Sequence, residues 1–419
     1  MKAVISIENS IPRGPNLIRY YLNKDVHVVQ GAKKYCIYDL EKERLFSIDQ
    51  SALNMLNMFL STNEKKFTKD EEIFLHQLLD FEILTTESQK NSPICTIEPT
   101  IDFAWIEVTK TCNLRCIHCY NEAEYQEDFS NKHMDFRDFC RIIDMLQAMG
   151  VPRIQLIGGE PYILGSLLSK MLSYVKEKFQ FVEIFTNGTL IKKSDIDSLL
   201  VNSINQIALS IYSNISSEHD KVTKLKGSHN KALSTIKALE EANIPYRIAN
   251  VRMKGIMVEE TNEDLIQPKS RYDFVRLSGR GNLKLYDSDL LKKKLITKKH
   301  FKKKISRRYI EKNMNMHNCF SNKIYIDINL NVYPCVMERR ISHGNIRSRN
   351  LEDILKDWIL TYTKDRVDGC RHCEYRYACH DCRPDSLNGD INAKPWYCTY
   401  NPYEGEWCDI EEFIKMLEV

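Results

Sequence analysis

The chain has 419 residues, more than one ordinary domain accommodates, so two or three domains are expected. With 43% hydrophobic and 28% charged residues it has the composition of a soluble globular protein, and a net charge of +3 is too small to indicate nucleic-acid binding. No run approaches about 18 consecutive apolar residues, and Glu8 interrupts the N-terminal segment before an apolar signal core develops. We therefore expect a cytoplasmic protein with no membrane and no nucleic-acid partner.

Residues 1–95 combine short apolar runs with amphipathic patterns. Three β-branched runs predict strands at 26–29, 35–38 and 45–48. Two amphipathic patterns predict helices at 51–60 and 69–79. Strands followed by helices in so short a segment indicate a small α+β or winged-helix-like domain, and Asn91, Ser92 and Pro93 indicate a linker after it.

From about residue 101 the pattern changes to alternating strands and helices. Such repeats predict a parallel sheet or barrel whose chemistry lies in the loops after the strands. Asp135 is placed to cap a helix that Gly150 ends, and Ser194 and Ser228 are placed to cap two more. The candidate strands are 103–108, 153–157, 182–186, 206–211, 246–251 and 272–277.

Cysteine is the most informative residue type, with 14 copies. In a reducing cytoplasm these are not expected to form disulfides, which leaves metal ligation or catalysis. Three of them, Cys112, Cys116 and Cys119, lie within eight residues directly after the first predicted strand of the alternating region. Eight others fall between Cys319 and Cys408. Packing alone does not explain such clustering, so the sequence predicts metal ligation.

The triplet has the spacing C-x3-C-x2-C over Cys112, Cys116 and Cys119. Three thiolates this close can wrap one face of a [4Fe–4S] cluster, because cysteine thiolates are the usual ligands of its irons. Four irons and three ligands leave one iron open to a chelating molecule that carries an amino and a carboxylate group. The alternative is a zinc site completed by a distant ligand, although zinc sites usually contain C-x2–4-C pairs.

This triplet, with an apolar strand before it and Tyr120 after it, resembles the signature of the radical S-adenosylmethionine (SAM) superfamily. The resemblance implies an α/β fold in which a partial (β/α)6 TIM-type barrel spans residues 100–300. It also implies that the cluster donates an electron to SAM. SAM is then cleaved to methionine and a 5′-deoxyadenosyl radical, which abstracts a hydrogen atom from the substrate.

Further segments at the ends of predicted strands resemble the superfamily's SAM-binding motifs. Gly158-Gly159-Glu160-Pro161 is similar to its GGEP segment, in which glycines allow close backbone approach and a carboxylate suits the SAM amino group. A tight turn is the alternative for the glycines, and a hydroxyl that fills the barrel is the alternative for Ser210. Many members of the superfamily have an aspartate at the position of Tyr212. Any role of that aspartate in substrate binding is therefore not assigned to this chain. The SAM contacts that the resemblance implies are His118, Gly158, Gly159, Glu160, Pro161, Asn187 and Ser210.

The later cysteines resemble the seven-cysteine SPASM domain of many peptide-modifying radical SAM enzymes, here at residues 315–410. Leu330 stands where that domain usually has glycine. The resemblance implies two auxiliary [4Fe–4S] clusters. The first would be held by Cys319, Cys335 and Cys382, and the second by Cys370, Cys373, Cys379 and Cys398.

The first auxiliary cluster lacks an obvious fourth ligand, because no cysteine lies between Cys140 and Cys319. Either Cys408 folds back to close the site, or one iron is open to an exogenous donor such as a substrate thiolate. A pair of zinc ribbons is the rival interpretation of the whole region, from the C-x2-C pairs at 370 and 379.

These resemblances predict a peptide maturase, whose radical leads to a thioether or carbon–carbon crosslink or to side-chain oxidation in a ribosomal precursor peptide. The domain at 1–95 resembles the winged-helix element that grips a leader peptide by strand addition. Because the strand–helix series is self-sufficient, we expect the chemistry on a tethered substrate to survive without residues 1–90. A flavodoxin- or ferredoxin-type reductant is also implied. The alternatives are a sulfatase-maturase-like protein oxidase and a non-catalytic iron–sulfur or zinc scaffold protein.

One charged segment belongs to none of these motifs. Between Lys292 and Arg308 there are ten Lys or Arg residues and no acidic residue. Such a segment is either a solvated linker helix or a docking surface for an acidic partner.

Overall fold

The computed structural model describes residues 18–61, 66–88, 93–122 and 132–417. The predicted linker residues Asn91 and Ser92 lie outside these ranges. The strands are β1 Tyr21–Leu22, β2 Val26–Gln30, β3 Tyr35–Asp39, β4 Arg44–Ile48, β5 Leu84–Thr85, β6 Phe103–Thr109, β7 Arg153–Gly158, β8 Phe181–Thr186, β9 Gln206–Ser210, β10 Tyr246–Ala249, β11 Val251–Arg252, β12 Asp273–Phe274, β13 Lys323–Ile326, β14 Asn331–Tyr333, β15 Gly344–Asn345, β16 Tyr400–Asn401 and β17 Glu406–Trp407.

Eleven α-helices lie in the described ranges, and none of them is long and apolar enough to cross a membrane. They are α1 Gln50–Ser61, α2 Lys69–Asp80, α3 Phe136–Ala148, α4 Ser166–Val175, α5 Lys193–Val201, α6 Ser216–Thr223, α7 Ser228–Glu241, α8 Ser288–Lys294, α9 Arg307–Asn315, α10 Leu351–Ile354 and α11 Ile410–Leu417.

The main sheet has eight strands in the order β10-β9-β8-β7-β6-β13-β14-β15. Strands β6 to β10 run parallel to one another, as the alternating pattern predicts. Helices α3, α4, α5 and α7 lie between these strands in the chain and bury their aliphatic side chains against the sheet. Parallel strands joined by helices put all their carboxyl ends at one edge, and this edge carries the triplet.

The predicted sixth strand, 272–277, does not join this sheet. Only Asp273 and Phe274 pair, and they pair with β11. The following backbone is bound by side chains instead, since the Leu277 N–H donates to the Asp385 carboxylate (3.3 Å) and the Tyr286 hydroxyl donates to the Val275 carbonyl. The neighbouring place in the sheet beside β6 is taken by β13, from the cysteine-rich region, which pairs parallel to β6.

Three residues were predicted to cap helices, and the structure confirms one of them. Asp135 caps α3 as predicted, because its carboxylate accepts the N–H groups of Arg137 (2.8 Å) and Asp138. The predictions for Ser194 and Ser228 were wrong. Helix α5 begins before Ser194, at Lys193. Ser228 is the first residue of α7 and not its cap, because the Asp220 carboxylate already accepts the N–H groups at that helix start.

The N-terminal unit contains the antiparallel sheet β2-β3-β4 and the helices α1 and α2, near the predicted positions. Its own apolar core lies between this sheet and the two helices. Helix α2 begins with a capping box, in which Thr68 and Glu71 exchange side-chain to backbone hydrogen bonds. The pair β1 and β5 joins the two ends of the unit.

This unit packs directly against the cysteine-rich region. The Tyr38 hydroxyl donates to the Glu374 carbonyl (2.8 Å), and the Ala32 N–H donates to the His372 carbonyl (2.7 Å). The buried guanidinium of Arg376 donates to the last carbonyl of β2 (2.8 Å). Deletion of residues 1–90 would remove these contacts, although the Arg376 guanidinium would keep its bonds to Asp365 and to the Cys373 carbonyl. The survival of the chemistry on a tethered substrate without residues 1–90 stays a prediction.

We predict that Tyr38→Phe lowers the free energy of unfolding by about 1 kcal/mol or more, because it leaves the buried Glu374 carbonyl without its donor. The matched control is Tyr35→Phe on the same strand, whose hydroxyl donates to Gln50 at the surface (2.7 Å) and should contribute only a few tenths of a kcal/mol, roughly. Urea denaturation of the two variants measures the difference. Equal destabilisation would contradict a stabilising role of this inter-unit contact.

Candidate active site

The loop that follows β7 pairs with the segment that leads into the cysteine triplet. The Gly159 N–H donates to the Thr109 carbonyl (2.8 Å), and the Glu160 N–H donates to the Thr111 carbonyl (2.9 Å). A Cβ on Gly159 would lie 2.2 Å from the Thr111 oxygen, and one on Gly158 would lie 2.4 Å from the Thr109 oxygen. Both glycines are therefore required by close approach to the protein backbone, whether or not they also contact a bound cofactor.

Glu160 joins this loop to the loop that follows β8. The side chain is fully buried, and one carboxylate oxygen accepts from the Thr186 hydroxyl (2.7 Å) and the Tyr162 N–H (3.1 Å). The other oxygen accepts from the Asn187 N–H (2.8 Å). Burial raises the pKa of Glu160 to about 7 despite these donors. The carboxylate therefore fixes the relative position of two of the predicted SAM-binding segments.

Asn187 in turn contacts the triplet. Its side-chain N–H donates to the Asn113 carbonyl oxygen (2.9 Å) and lies 4.0 Å from the Cys112 sulfur. Its own side-chain oxygen accepts from Thr189, which closes the turn. The segments predicted from three separate strand ends, around Cys112, Glu160 and Asn187, thus come together at one place.

The triplet thiols face one another in largely apolar surroundings. Cys112 is buried with Leu114, and Cys116, Cys119 and Leu225 pack against them. Burial raises the pKa of the Cys116 thiol to about 12, assisted by the neighbouring Cys119 sulfur. Burial also raises the pKa of Cys112 well above its usual range. Thiols in such a place ionise when a cationic metal core replaces the lost solvation, so this donor set fits an iron–sulfur cluster.

The described ranges contain no group of three or more His, Cys, Asp or Glu residues arranged around a single metal ion. The cysteines of a cubane cluster bind different irons and need not converge on one point.

Tyr212 and His118 form a wall beside the triplet. Their rings meet edge to face with 4.8 Å between centroids. Burial, together with the charge of Arg280, lowers the pKa of His118 to about 4, so the imidazole is neutral near pH 7. The Tyr212 side chain lies against Cys116 and Ser210, in the position that is aspartate in many relatives. A neutral aromatic surface therefore occupies this part of the site.

A cavity of about 590 Å³ opens beside this wall. Its lining contains several aromatic side chains and also Arg247, whose guanidinium donates to both carboxylate oxygens of Glu183 (2.7 and 2.9 Å). Of the predicted SAM contacts, His118 and Ser210 line it, whereas the GGEP segment and Asn187 lie at the triplet instead. Further lining residues are Trp105, Tyr120, Gln155, Phe185, Phe274, Arg276 and Met337.

Most of these lining residues were not predicted, although the sequence contains a signal for several. In strands that are otherwise largely aliphatic, aromatic or polar residues recur at alternate positions, among them Trp105 in β6, Gln155 in β7 and Phe185 in β8. Alternate residues of a strand point to opposite faces, so these side chains share the face turned away from the helices.

The four cysteines predicted to hold the second auxiliary cluster line one cavity. Burial raises the pKa values of all four thiols. Aromatic side chains complete the lining, with Tyr375, Tyr400 and Trp407 among them. The donor set and its desolvation fit a second cluster site, formed by Cys370, Cys373, Cys379 and Cys398.

Cys319, Cys335 and Cys382 also come together. The Cys319 and Cys382 thiols are hydrogen-bonded, and burial with the Cys382 sulfur nearby raises the pKa of Cys335. Cys408 is placed elsewhere, since its N–H donates to the Thr399 carbonyl (2.9 Å), next to a cysteine of the second set. Cys408 therefore lies with the second set of cysteines and not with Cys319, Cys335 and Cys382.

A buried charge cluster that the sequence did not indicate joins the two sets. The Asp381 carboxylate binds the His317 imidazole (3.0 Å), the Lys364 ammonium (2.9 Å) and the Arg383 guanidinium (2.8 Å). Burial raises the pKa of Asp381, but the charges of Arg383 and Lys364 outweigh burial and lower it well below its usual range. The Cys319 thiol donates to the Asp381 backbone carbonyl (3.5 Å), which ties this cluster to the first set.

Comparison with known proteins agrees with this geometry. Residues 106–267 match the sequence profile of the Radical SAM superfamily, so the chain contains a radical SAM domain, the class that uses SAM and a [4Fe–4S] cluster.

The chain is similar to the antilisterial bacteriocin subtilosin biosynthesis protein AlbA of Bacillus subtilis, with 31% identity over 42% of this chain and 40% of AlbA. It is also similar to Fe-coproporphyrin III synthase of Methanosarcina barkeri, with 30% identity over 44% of this chain and 46% of the relative. The chain thus spans less than half the length of these curated relatives. The crystal structure of Streptococcus suis SuiB bound to precursor peptide SuiA shares the fold, with a TM-score of 0.53 and 14% identity over 87% of this chain and 96% of SuiB.

We predict that Glu160→Gln weakens SAM binding about tenfold, because an amide N–H2 must then face at least one of the three donors around this buried side chain. The pKa of about 7 also makes the carboxylate protonated below and ionised above that pH, so SAM binding should weaken between pH 8 and pH 6. Calorimetric titration measures both effects. The exposed Glu241→Gln is the control, and a pH dependence that persists in Glu160→Gln would contradict the assignment.

Proposed function

We propose that this protein is a radical SAM peptide maturase that modifies a ribosomal precursor peptide. The observation that carries the proposal is the convergence of the triplet with the loops after β7 and β8, next to a cavity with aromatic walls. Two further cysteine sets in the C-terminal region support auxiliary clusters, which accompany peptide-modifying members of the class. The bound cluster and SAM would supply a carbon radical, and the chain's own residues would position the substrate for it.

The proposed assignment of residues follows the geometry. Cys112, Cys116 and Cys119 would hold the SAM-binding cluster. Glu160 would fix the segments that receive the SAM amino group, and His118 would present its neutral ring to the adenine. Trp105, Phe185 and Tyr212 would exclude water around the reacting side chain of the peptide, since they line the same cavity. Proposed cofactor contacts also include Gly158, Gly159, Pro161, Asn187 and Ser210.

We propose that the chain has three domains with different functions. They are a leader-binding unit at 1–95, a radical SAM core at 100–300 and an auxiliary-cluster region at 315–410. Within the first unit, β4 is the edge strand offered for strand addition by the leader. Its residues are mostly half-buried, whereas those of the opposite edge, β2, are almost all buried. Main-chain pairing with few side-chain pockets gives modest affinity, which suits a peptide that must be released after modification. A flavodoxin- or ferredoxin-type protein would supply the electrons.

The first prediction from this proposal concerns metal content. Anaerobically reconstituted protein should carry about twelve irons, from three cubane clusters. Changing Cys112, Cys116 and Cys119 together to alanine should remove about four irons and abolish 5′-deoxyadenosine formation. The control is Cys140→Ala, a half-buried thiol on α3 outside all three sets. Iron analysis and product chromatography give the readout, and zinc as the sole stoichiometric metal would refute the proposal.

A second prediction concerns the first auxiliary cluster, which would have three cysteine ligands. Because Cys408 lies with the second set, Cys408→Ala should leave the spectrum of the first cluster unchanged. A cysteine-containing substrate peptide should then perturb that spectrum, since a soft thiolate suits an open iron. Electron paramagnetic resonance of the reduced protein with and without peptide tests this. Loss of an iron in Cys408→Ala, or a spectrum unchanged by saturating peptide, would contradict direct ligation.

A further inference from the structure

The lysine-rich segment between Lys292 and Arg308 is not used by the proposed chemistry. In the structure it forms the end of α8, a 3-10 helix over Lys298–Lys302 and the start of α9. It is therefore a folded surface feature, and the solvated linker helix considered from the sequence is not what forms here.

Only some of its charges have partners within the chain. Lys292 pairs with Glu411 (2.6 Å), Lys294 with the buried Asp385 (2.9 Å) and Arg307 with Asp25 (3.0 Å). The other seven cations are exposed and form no ion pair with any of the described residues. We call them the lysine patch: Lys293, Lys298, Lys299, Lys302, Lys303, Lys304 and Arg308.

The apolar residues of the same segment point the other way, into the protein. Ile296 and Phe301 are buried and line the cavity formed by the second auxiliary cysteine set. The Ile296 N–H donates to the Tyr397 carbonyl (2.9 Å), and Ile296 forms a backbone bridge to Cys398, one of those cysteines. The lysine patch is thus the outer side of a segment whose inner side encloses this cysteine set.

Aromatic side chains fill the space behind the patch. Phe301 stacks on Tyr375, with 4.5 Å between ring centroids and 29° between the ring planes. Trp407 lies 5.7 Å from Phe301 and 4.6 Å from Tyr400. All four residues line the cavity of the cysteine set. Aromatic side chains therefore lie between the segment that carries the lysine patch and the cysteines.

From this juxtaposition we propose that the lysine patch is the docking surface for an acidic one-electron carrier protein that exchanges electrons with the second auxiliary cluster. Concentrated positive charge steers an acidic partner and raises association rates by roughly 10- to 1,000-fold at low salt. Redox encounters need only small and short-lived interfaces, which suits a mobile set of lysine ammonium groups. The inference rests on the proposed function, because it requires a cluster held by Cys370, Cys373, Cys379 and Cys398.

The transfer is a simple exchange. One electron would leave the reduced cofactor of the carrier, which would be oxidised, and would reduce a cluster held by these four cysteines from [4Fe–4S]2+ to [4Fe–4S]+. No heavy atom or proton would need to move between the proteins. An acidic leader peptide is the main competitor for this surface, because the segment also touches the N-terminal unit, where the Ile305 N–H donates to the Glu43 carbonyl (3.3 Å). The test separates the two.

The test variant changes Lys298, Lys299, Lys302 and Lys303 to glutamate in the full-length, reconstituted protein. A matched variant makes the same change in net charge at four exposed lysines that lie in or directly after the core helices and also form no ion pair with the described residues. These control positions are Lys170, Lys176, Lys193 and Lys231. Iron content and thermal stability are measured first. If charge reversal lowers either, the same four patch lysines are changed to glutamine instead, which removes the positive charge without introducing repulsion between glutamates.

The probe is reduced flavodoxin, an acidic carrier, mixed by stopped flow with oxidised protein at low and high salt. The patch variant should associate at least about tenfold more slowly than wild type at low salt and lose most of the salt dependence, while the control variant stays near wild type. Dithionite should reduce all three proteins alike. Equal association rates for the patch and control variants would overturn the inference, and so would a patch variant that loses leader-peptide binding but keeps flavodoxin reduction. Absence of dithionite-driven SAM cleavage in wild type would instead refute the proposed function.

Discussion

Burial of thiol groups is the constraint on which the rest of this structure depends. The Cys112 thiol and the thiols of the second auxiliary set lie where solvent cannot stabilise a thiolate, so their pKa values are raised. Ionisation and metal binding must therefore occur together, and the free energy of metal binding becomes free energy of folding. The region after residue 319 fits this description. It has short strands and 3-10 helices, and two of its residues, Arg376 and Arg383, are the largest fully buried side chains of the described chain.

Ordered polar contacts hold this region where aliphatic packing is sparse. Asp381 gathers three basic groups between the two auxiliary sets, and Arg376 reaches from the second set to the N-terminal sheet. A buried charge is tolerated only when its hydrogen bonds are satisfied, so these contacts fix the geometry of the loops that carry the cysteines. The N-terminal unit and the second auxiliary set consequently share one hydrogen-bonded boundary, and the lysine patch lies beside it.

Local patterns predicted the parts of the fold that local interactions determine. The strands near 26–48 and the helix capped by Asp135 follow from periodicity and capping, which act over a few residues. Contacts between segments that are far apart in the chain produce no local sequence pattern. Nothing in the sequence indicated that β13 would pair with β6, or that Asp385 would bind the backbone of the predicted sixth strand.

The candidate site shows the same division. Cysteine spacing and the loop motifs identified the residues that converge. Some of these residues, however, have a structural role within the protein that was not expected from the motifs. Gly158 and Gly159, at the end of β7, are required by the close backbone of Thr109 and Thr111, and the Glu160 carboxylate accepts hydrogen bonds from three protein donors. The cavity lining was missed because its residues are scattered over several strands. Their alternation along each strand is present in the sequence, but the sheet order is needed to see which strands bring these side chains to one cavity.

The pairing of β13 with β6 has a consequence for how the chain folds during synthesis. Ala104 pairs with Ile324, 220 positions later, so the strand that leads to the cysteine triplet has an unpaired edge while that length of chain is made. At ribosomal rates of about 5–20 residues per second, this interval is on the order of 10–40 s. An open edge of a parallel sheet is a template for association with other chains. The nascent protein is therefore vulnerable to aggregation during this interval, and a chaperone that covers the free edge of β6 would raise the yield of active protein more than one that acts after release.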